Sequence, residues 1–342
     1  MKEKILVTGG TGYIGSHTTV ELQKAGYEVV IIDNLSNSNE NVIDGIEKIT
    51  GIRPVFVKGD CTDIETLRKL FKENPGIKGI INFAASKAVG ESVQKPLLYY
   101  RNNLNTLINL LELMPEFGVE GIVFSSSCTV YGEPDKNPID ETAPIKPATS
   151  PYGNTKQISE EIIEDYVKSG APIKSILLRY FNPIGAHPTA LIGELPLGVP
   201  QNLVPYLTQT AAGIRKELTV FGDDYNTPDG SCIRDYIDVV DLAKAHVIAM
   251  KRMLENKDTD AVEIFNLGTG RGLSVLELIN AFEEATGVPV PHKIGPRRAG
   301  DIEKIWADPK KANEVPGWTA VADIKDTMKN AWAWQQRCCK TK

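Results

Sequence analysis

The run Lys4-Ile5-Leu6-Val7-Thr8 passes without a break into Gly9-Gly10-Thr11-Gly12-Tyr13-Ile14-Gly15, and few folds accept that order. An unbroken aliphatic run of this length reads as a strand buried on both faces. The glycines after it permit a tight turn that leads straight into a helix. Short Ile- and Val-rich runs at residues 5–8, 29–33, 55–57, 79–83, 121–125 and 175–180 then alternate with amphipathic segments at 14–25, 64–72, 104–117 and 152–169. Their continuous apolar character predicts an α/β fold built on a doubly wound parallel sheet of Rossmann type.

After Tyr180 the pattern changes to a Pro- and Gly-punctuated stretch at 182–205, followed by a second long loop at 222–232. Loops of that length are usually functional or disordered. Helix and strand signals resume at 239–250, 264–267 and 275–285. At 342 residues the chain suits one large domain or two unequal lobes. We expect residues 1–181 to form the nucleotide-binding domain, with a returning segment around 234–268, and residues 182–233 and 269–342 to form a smaller α/β substrate-binding lobe.

A net charge of -6 leaves no basic footprint for nucleic acid or anionic lipid. Apolar runs such as 176–178 fall far short of the roughly 20 residues that span a bilayer. The first strand begins almost at Met1, so no secretory leader and a cytoplasmic location are expected. The five cysteines form no CxxC spacing, and the four histidines, His17, His187, His246 and His292, lack metal-ligand spacing. Reduced thiols and no metal are the expectation.

Glycines let a backbone approach a pyrophosphate closely, and the amides that open a helix attract it. Gly9, Gly12 and Gly15 therefore offer a bed for a dinucleotide, although a glycine turn alone can serve packing. Asp33 ends the next strand, 18 residues after Gly15. A carboxylate there accepts hydrogen bonds from an adenosine ribose and repels a 2′-phosphate, which favours NAD over NADP.

Ser125, Ser126 and Ser127 close a predicted strand, at the edge where open α/β sheets bind ligands. The chain then returns to Tyr152 and Lys156, which share one helix face at i and i+4. Ionising a phenol at pH 7 costs about 4 kcal/mol. A nearby ammonium can return up to about 4 kcal/mol at an effective dielectric near 20, and an oxidised nicotinamide acts in the same direction. Tyr152 can thus serve as a base.

These residues, with the segments 9–18, 83–96, 125–132, 150–156, 179–188, 234–236, 266–270 and 297–301, resemble the extended short-chain dehydrogenase/reductase family over essentially the whole chain. The match is nearest to its members that epimerise UDP-hexoses at C4. The resemblance implies transient oxidation of the sugar to a 4-keto form by tightly bound NAD, a UDP-sugar substrate with N-acetylated forms possible, and a homodimer. It makes Ser127 the partner of the sugar 4-oxygen, Tyr152 the acid/base, and Lys156 its electrostatic activator and a holder of the nicotinamide ribose. Around NAD it also sets Tyr13, Ile14, Asp33, Asn34, Asn37 and Ser38. Asp60, Cys61, Phe83, Lys87, Asn102 and Tyr180 complete that shell. For the nucleotide sugar it implies Asn182, Asn202, Leu203, Phe221, Arg234, Arg298 and Asp301, with Ile305 at a position that sets which N-acetyl sugars fit. Arginine forks suit a diphosphate.

The chain departs from the family pattern at Ile305, where Tyr or Cys is common, at Ser86, where Leu is common, and at Asp238, where His is frequent. Two rival readings remain. A nucleotide-sugar 4,6-dehydratase needs an Asp-Glu pair where this chain has Cys128 and Thr129. A non-catalytic NAD-binding protein needs neither the phenol nor the ammonium.

Overall fold

The structure is a computed structural model that describes residues 2–298 and 301–340. Its centre is a seven-stranded, all-parallel sheet of β1 (Lys4–Thr8), β2 (Glu28–Asp33), β3 (Val55–Lys58), β4 (Ile77–Asn82), β5 (Gly121–Ser127), β6 (Lys174–Tyr180) and the strand Val262–Leu267. From one edge the order is Val262–Leu267, β6, β5, β4, β1, β2, β3. The chain winds outward from β1 to β3, crosses back to β4 and winds the other way. The order therefore reverses between β1 and β4, and the crevice beyond their carboxyl ends is the place where such sheets bind ligands.

The unbroken apolar strands follow from the two covered faces. Ile5 and Val7 pack on one side with α1 (Tyr13–Lys24), α2 (Asn41–Thr50) and the helix Val239–Leu254. Leu6 packs on the other with α3 (Ile64–Glu73), α5 (Pro96–Phe117) and α6 (Pro151–Lys168). A short helix, α4 (Val89–Gln94), precedes α5. The sequence pattern had α5 beginning eight residues late, at 104, because Leu97 and Leu98 are 75% and 49% exposed and break the buried stripe. Pro96 at the start of α5 suits a first turn whose amides lack helical acceptors.

A second core forms where the helices Leu203–Ala211, Val275–Thr286 and Ile324–Lys340 meet the parallel pair Leu218–Phe221 and His292–Gly295. Ser274 and Glu277 cap the middle helix reciprocally, and Gly287, with φ +70°, ends it. Beyond residue 269 the chain returns once more to the larger core. Ala312 and Trp318 pack there, and Trp318 Nε1 donates to the Asp241 carbonyl at 2.9 Å. Among the described residues no helix is long and apolar enough to cross a membrane.

The stretch 182–205 is partly ordered by pairing, since Asn182–Ile184 lies parallel to Tyr236–Asp238. Asp238 then gathers three segments. Its Oδ1 accepts the Val240 amide at 2.8 Å and caps the helix Val239–Leu254, while Oδ2 accepts the Thr327 hydroxyl at 2.8 Å. Gly185 adopts φ +92°, and a Cβ there would lie 2.7 Å from Thr327 Cγ2. The carboxylate at 238 thus has a structural use of its own. Asp238→Ala removes a cap and strands a buried hydroxyl, so urea unfolding should lose about 2 kcal/mol; a loss below about 0.5 kcal/mol contradicts this role.

Candidate active site

At the crevice Gly9 adopts φ +68°, and a Cβ on it would lie 2.9 Å from the Ala84 amide. A Cβ on Gly15 would run into the Gly9 carbonyl and lie 2.9 Å from Gly10 Cα, so backbone meets backbone with nothing to yield. No side chain caps α1 at Gly12. Its first-turn amides need another acceptor, and a pyrophosphate has the right charge and size. The glycine turn therefore fits a dinucleotide.

Asp33 is half-buried and accepts the Leu35 amide at 2.9 Å, the Ser38 hydroxyl at 3.1 Å and the Thr11 amide at 3.2 Å. It clasps the glycine turn to the loop after β2. Asn34 donates to Asp60 at 3.1 Å. Burial pushes the Asp60 carboxyl up, and hydrogen bonds from Thr62 and Asn34 outweigh it and hold the group below its usual range. Asn37 lies exposed at the rim. The Cys61 side chain sits in the core, and burial drives its thiol far above the ordinary range, so its backbone is what it can offer a ligand. Ile14 packs against the larger core.

Ser125, Ser126 and Ser127 end β5, opposite Leu178, Arg179 and Tyr180 of β6. Ser150 caps α6 by accepting the Gly153 amide at 3.1 Å, and Pro151 opens the helix. This fixes Tyr152 and Lys156 on the buried face, 9% and 5% exposed. The lysine is held by backbone beside the tyrosine ring. Its Nζ donates to the Ser125 carbonyl at 2.6 Å and lies 5.8 Å from the centre of the Tyr152 ring. A desolvated ammonium needs a hydrogen-bond acceptor, and the carbonyl supplies one.

The two groups titrate accordingly. Burial, with smaller contributions from Tyr180 and Cys128, pushes the Tyr152 phenol far above 10, while a hydrogen bond with Ser127 works the other way. Burial brings Lys156 down to about 8, opposed by the charge of Glu160. Protein groups alone thus leave the phenol neutral at pH 7. Further positive charge at the site is needed to ionise it.

Several neighbours that sequence reasoning missed hold these groups. Asn103 donates to Thr155 at 3.0 Å, and Thr155 donates to the Tyr152 carbonyl at 2.7 Å. Asn103 also grips both backbone groups of Ser86, and Asn102 donates to the Ser86 hydroxyl at 3.1 Å, which gives this departure from the family a bonding partner. Tyr180 shares a hydrogen bond with Ser125 at 2.6 Å. Its ring and that of Phe83 both meet His246, at 6.1 and 4.7 Å between centroids. Glu194 accepts from Lys87 at 3.3 Å and from Asn202 at 2.6 Å, joining a residue expected at the cofactor to one expected at the substrate. Tyr13 also reaches across the chain, donating to the Gly185 carbonyl at 2.7 Å.

Among the remaining substrate candidates, Asp301 lies between two guanidinium groups. Arg298 grips it with two bonds, at 2.6 and 3.2 Å, and Arg234 stands 3.6 Å away. The Arg298 fork also lies 5.6 Å from the exposed Phe221 ring. Asn182 is half-buried, with its amide bound to the Asp235 carbonyl. Leu203 opens a helix that packs on the Phe221 strand. Ile305 pairs opposite Arg234 and is 3% exposed, packed with Tyr131, Ile139 and Phe181. Arg234, Arg298, Asp301, Phe221 and Ile305 therefore come together, whereas Asn202 is drawn aside to Glu194.

Residues 5–268 match the NAD dependent epimerase/dehydratase family. The chain is 50% identical over 332 residues to the UDP-glucose 4-epimerase of Neisseria meningitidis serogroup B, covering 97% of each chain. It superposes on the Stenotrophomonas maltophila UDP-glucose-4-epimerase crystallised with NAD and formylated UDP-arabinopyranose with a TM-score of 0.96 at 48% identity, covering 99% of this chain and 100% of that one. The Bifidobacterium longum UDP-glucose 4-epimerase, in complex with NAD+ and UDP, gives a TM-score of 0.93 at 46% identity over 98% of both chains. With a seven-stranded doubly wound sheet, a glycine turn shaped for a dinucleotide and matching relatives along its full length, this chain belongs to the NAD dependent epimerase/dehydratase family.

Proposed function

We propose that the protein inverts C4 of a UDP-hexose, interconverting UDP-glucose and UDP-galactose through a transient 4-keto sugar, with NAD as a retained cofactor. The observation that carries this reading is the meeting of Ser127, Tyr152 and Lys156 at the carboxyl edge of the sheet, in a chain whose near relatives over its full length are UDP-glucose 4-epimerases. NAD, when bound, brings a cationic nicotinamide to the site and takes up and returns the C4 hydrogen with its electron pair.

The protein's own part is proton handling and positioning. Tyr152 accepts the proton of the 4-hydroxyl as the carbonyl forms and returns it when the ketone is reduced from the other face. Ser127 holds the 4-oxygen. Lys156 adds positive charge near the phenol and holds the cofactor ribose, while Gly9, Gly12 and Gly15 admit the pyrophosphate and Asp33 takes the adenosine ribose. Arg234 and Arg298 grip the UDP diphosphate, with Asp301 as their shared counter-ion. Inversion needs the 4-keto sugar to turn over while the nucleotide stays anchored, and fixation at the diphosphate allows that.

Dehydration is disfavoured by the thiol of Cys128, pushed up to about 12 by burial, and by Thr129, neither of which can replace a carboxyl pair. A cytoplasmic homodimer accompanies the proposal, supported by the exposed apolar side chains of Val89, Val93, Leu97 and Leu98 on α4 and the start of α5.

Tyr152→Phe should retain NAD through purification yet lower the turnover of UDP-galactose by at least about 100-fold, since only the transferable proton is lost. Near-normal product formation without added NAD refutes the assignment. Ile305→Cys should raise the ratio of UDP-N-acetylgalactosamine to UDP-galactose turnover several-fold by shortening a buried side chain beside Arg234. An unchanged ratio removes Ile305 from substrate selection.

A further inference from the structure

Tyr152, Lys156 and Glu160 follow one another at intervals of four on α6, so all three stand on one helix face. Glu160 is 5% exposed, and a lone carboxylate at that depth would be strongly penalised. It is instead fully engaged. Arg179 on β6 approaches it side-on, with Nε 3.0 Å from Oε1 and Nη2 2.5 Å from Oε2, and Ser126 donates to Oε1 at 2.5 Å. The chain of bonds continues from Arg179 to the Tyr131 hydroxyl at 3.0 Å, from Tyr131 to Asn266 at 2.7 Å, and from Asn266 to the Ile139 carbonyl at 2.9 Å.

We infer that Glu160, locked by Arg179, is a positioning residue for the proton chemistry of Tyr152: it keeps the Lys156 ammonium charged within a dry site and fixes the end of β5 that carries Ser125 and Ser127. The inference rests on the function proposed above. Ser126 is the middle residue of that strand end. Its bond to Glu160 anchors the chain between the carbonyl that receives Lys156 and the hydroxyl expected at the sugar.

The electrostatic half follows from what surrounds the ammonium. From α6 come Tyr152 and Glu160; from β5, the Ser125 carbonyl and the Phe124 ring, 4.8 Å from Nζ. The elements packed against α6 carry Arg179 and Tyr180 on β6, Tyr99 and Asn103 on α5, Cys128 in the turn after β5 and, on α4, Glu91, which accepts the Tyr99 hydroxyl at 2.9 Å. Burial holds Tyr152 and Tyr99 neutral, and pushes Tyr180 and Cys128 up to about 12. Among these described groups Glu160 is the buried carboxylate, whereas the Glu91 side chain is 42% exposed and screened by solvent. A buried lysine loses its proton as pH rises, and the carboxylate delays that loss.

Two single variants decide: Glu160→Gln removes the carboxylate's charge while its amide can still face Ser126, and Arg179→Met removes the opposing cation and leaves the carboxylate. Two readouts apply to the purified holoprotein once urea unfolding establishes a cooperative fold. In NMR of 15Nζ-labelled lysine, the Lys156 titration should move to lower pH by about one unit or more in Glu160→Gln, and should stay or move to higher pH in Arg179→Met. With UDP-galactose, the alkaline limb of kcat should move by the same amount, with KM within about twofold. A folded Glu160→Gln variant that titrates Lys156 at the wild-type pH or loses kcat and KM together with an unmoved limb, or an Arg179→Met variant that titrates Lys156 at lower pH, overturns the inference. Failure of the wild-type protein to convert any UDP-hexose sinks the functional proposal instead, and the lysine titration still decides the Glu160 role.

Discussion

Every part of this site depends on the alignment of parallel strands so that β1, β2, β4, β5 and β6 all deliver their carboxyl ends to one edge. The reversal of winding between β1 and β4 opens that edge, because the connections that follow these two strands leave in opposite directions. The glycine turn leaves β1, Asp33 ends β2, Phe83 follows β4, the three serines end β5 and Tyr180 ends β6. Residues spread over nearly 180 positions of sequence thus face one cleft.

Desolvation is the second governing factor. It raises the Tyr152 phenol, lowers Lys156 and forces each buried polar group to find a partner. The bonds between Lys156 and the Ser125 carbonyl, between Thr155 and the Tyr152 carbonyl, and between Glu160 and Arg179 answer that demand. A dry site also strengthens any charge later placed in it. A phenol that protein groups alone keep neutral would therefore respond to a cation placed in the nucleotide crevice.

The sheet was readable because its central strands are covered on both faces and so carry runs of apolar residues. Ile5 and Leu6 are consecutive, yet each is buried against different helices. The region around the second core was less legible. Its strands are two to four residues long and pair across large separations, as Lys304–Ile305 does with Ile233–Arg234. Such pairing leaves little local periodicity to detect. The start of α5 was obscured for the opposite reason, since exposed Leu97 and Leu98 carry an apolar signal that does not mark the core.

Local spacing decided which chemical groups could act together: a glycine turn behind the first strand, an acid at the end of the second, and a phenol and an amine one helical turn apart. Those are short-range features, fixed by backbone geometry and helix period. The tertiary structure alone decided their surroundings. It directed the Lys156 ammonium to a carbonyl, put Asp301 between two arginines, buried Cys61 and Ile305, and joined Glu160 to Arg179 and Glu194 to both Lys87 and Asn202. Burial and long-range partners set the charge state of each group, and neither quantity is carried by residues adjacent in the chain.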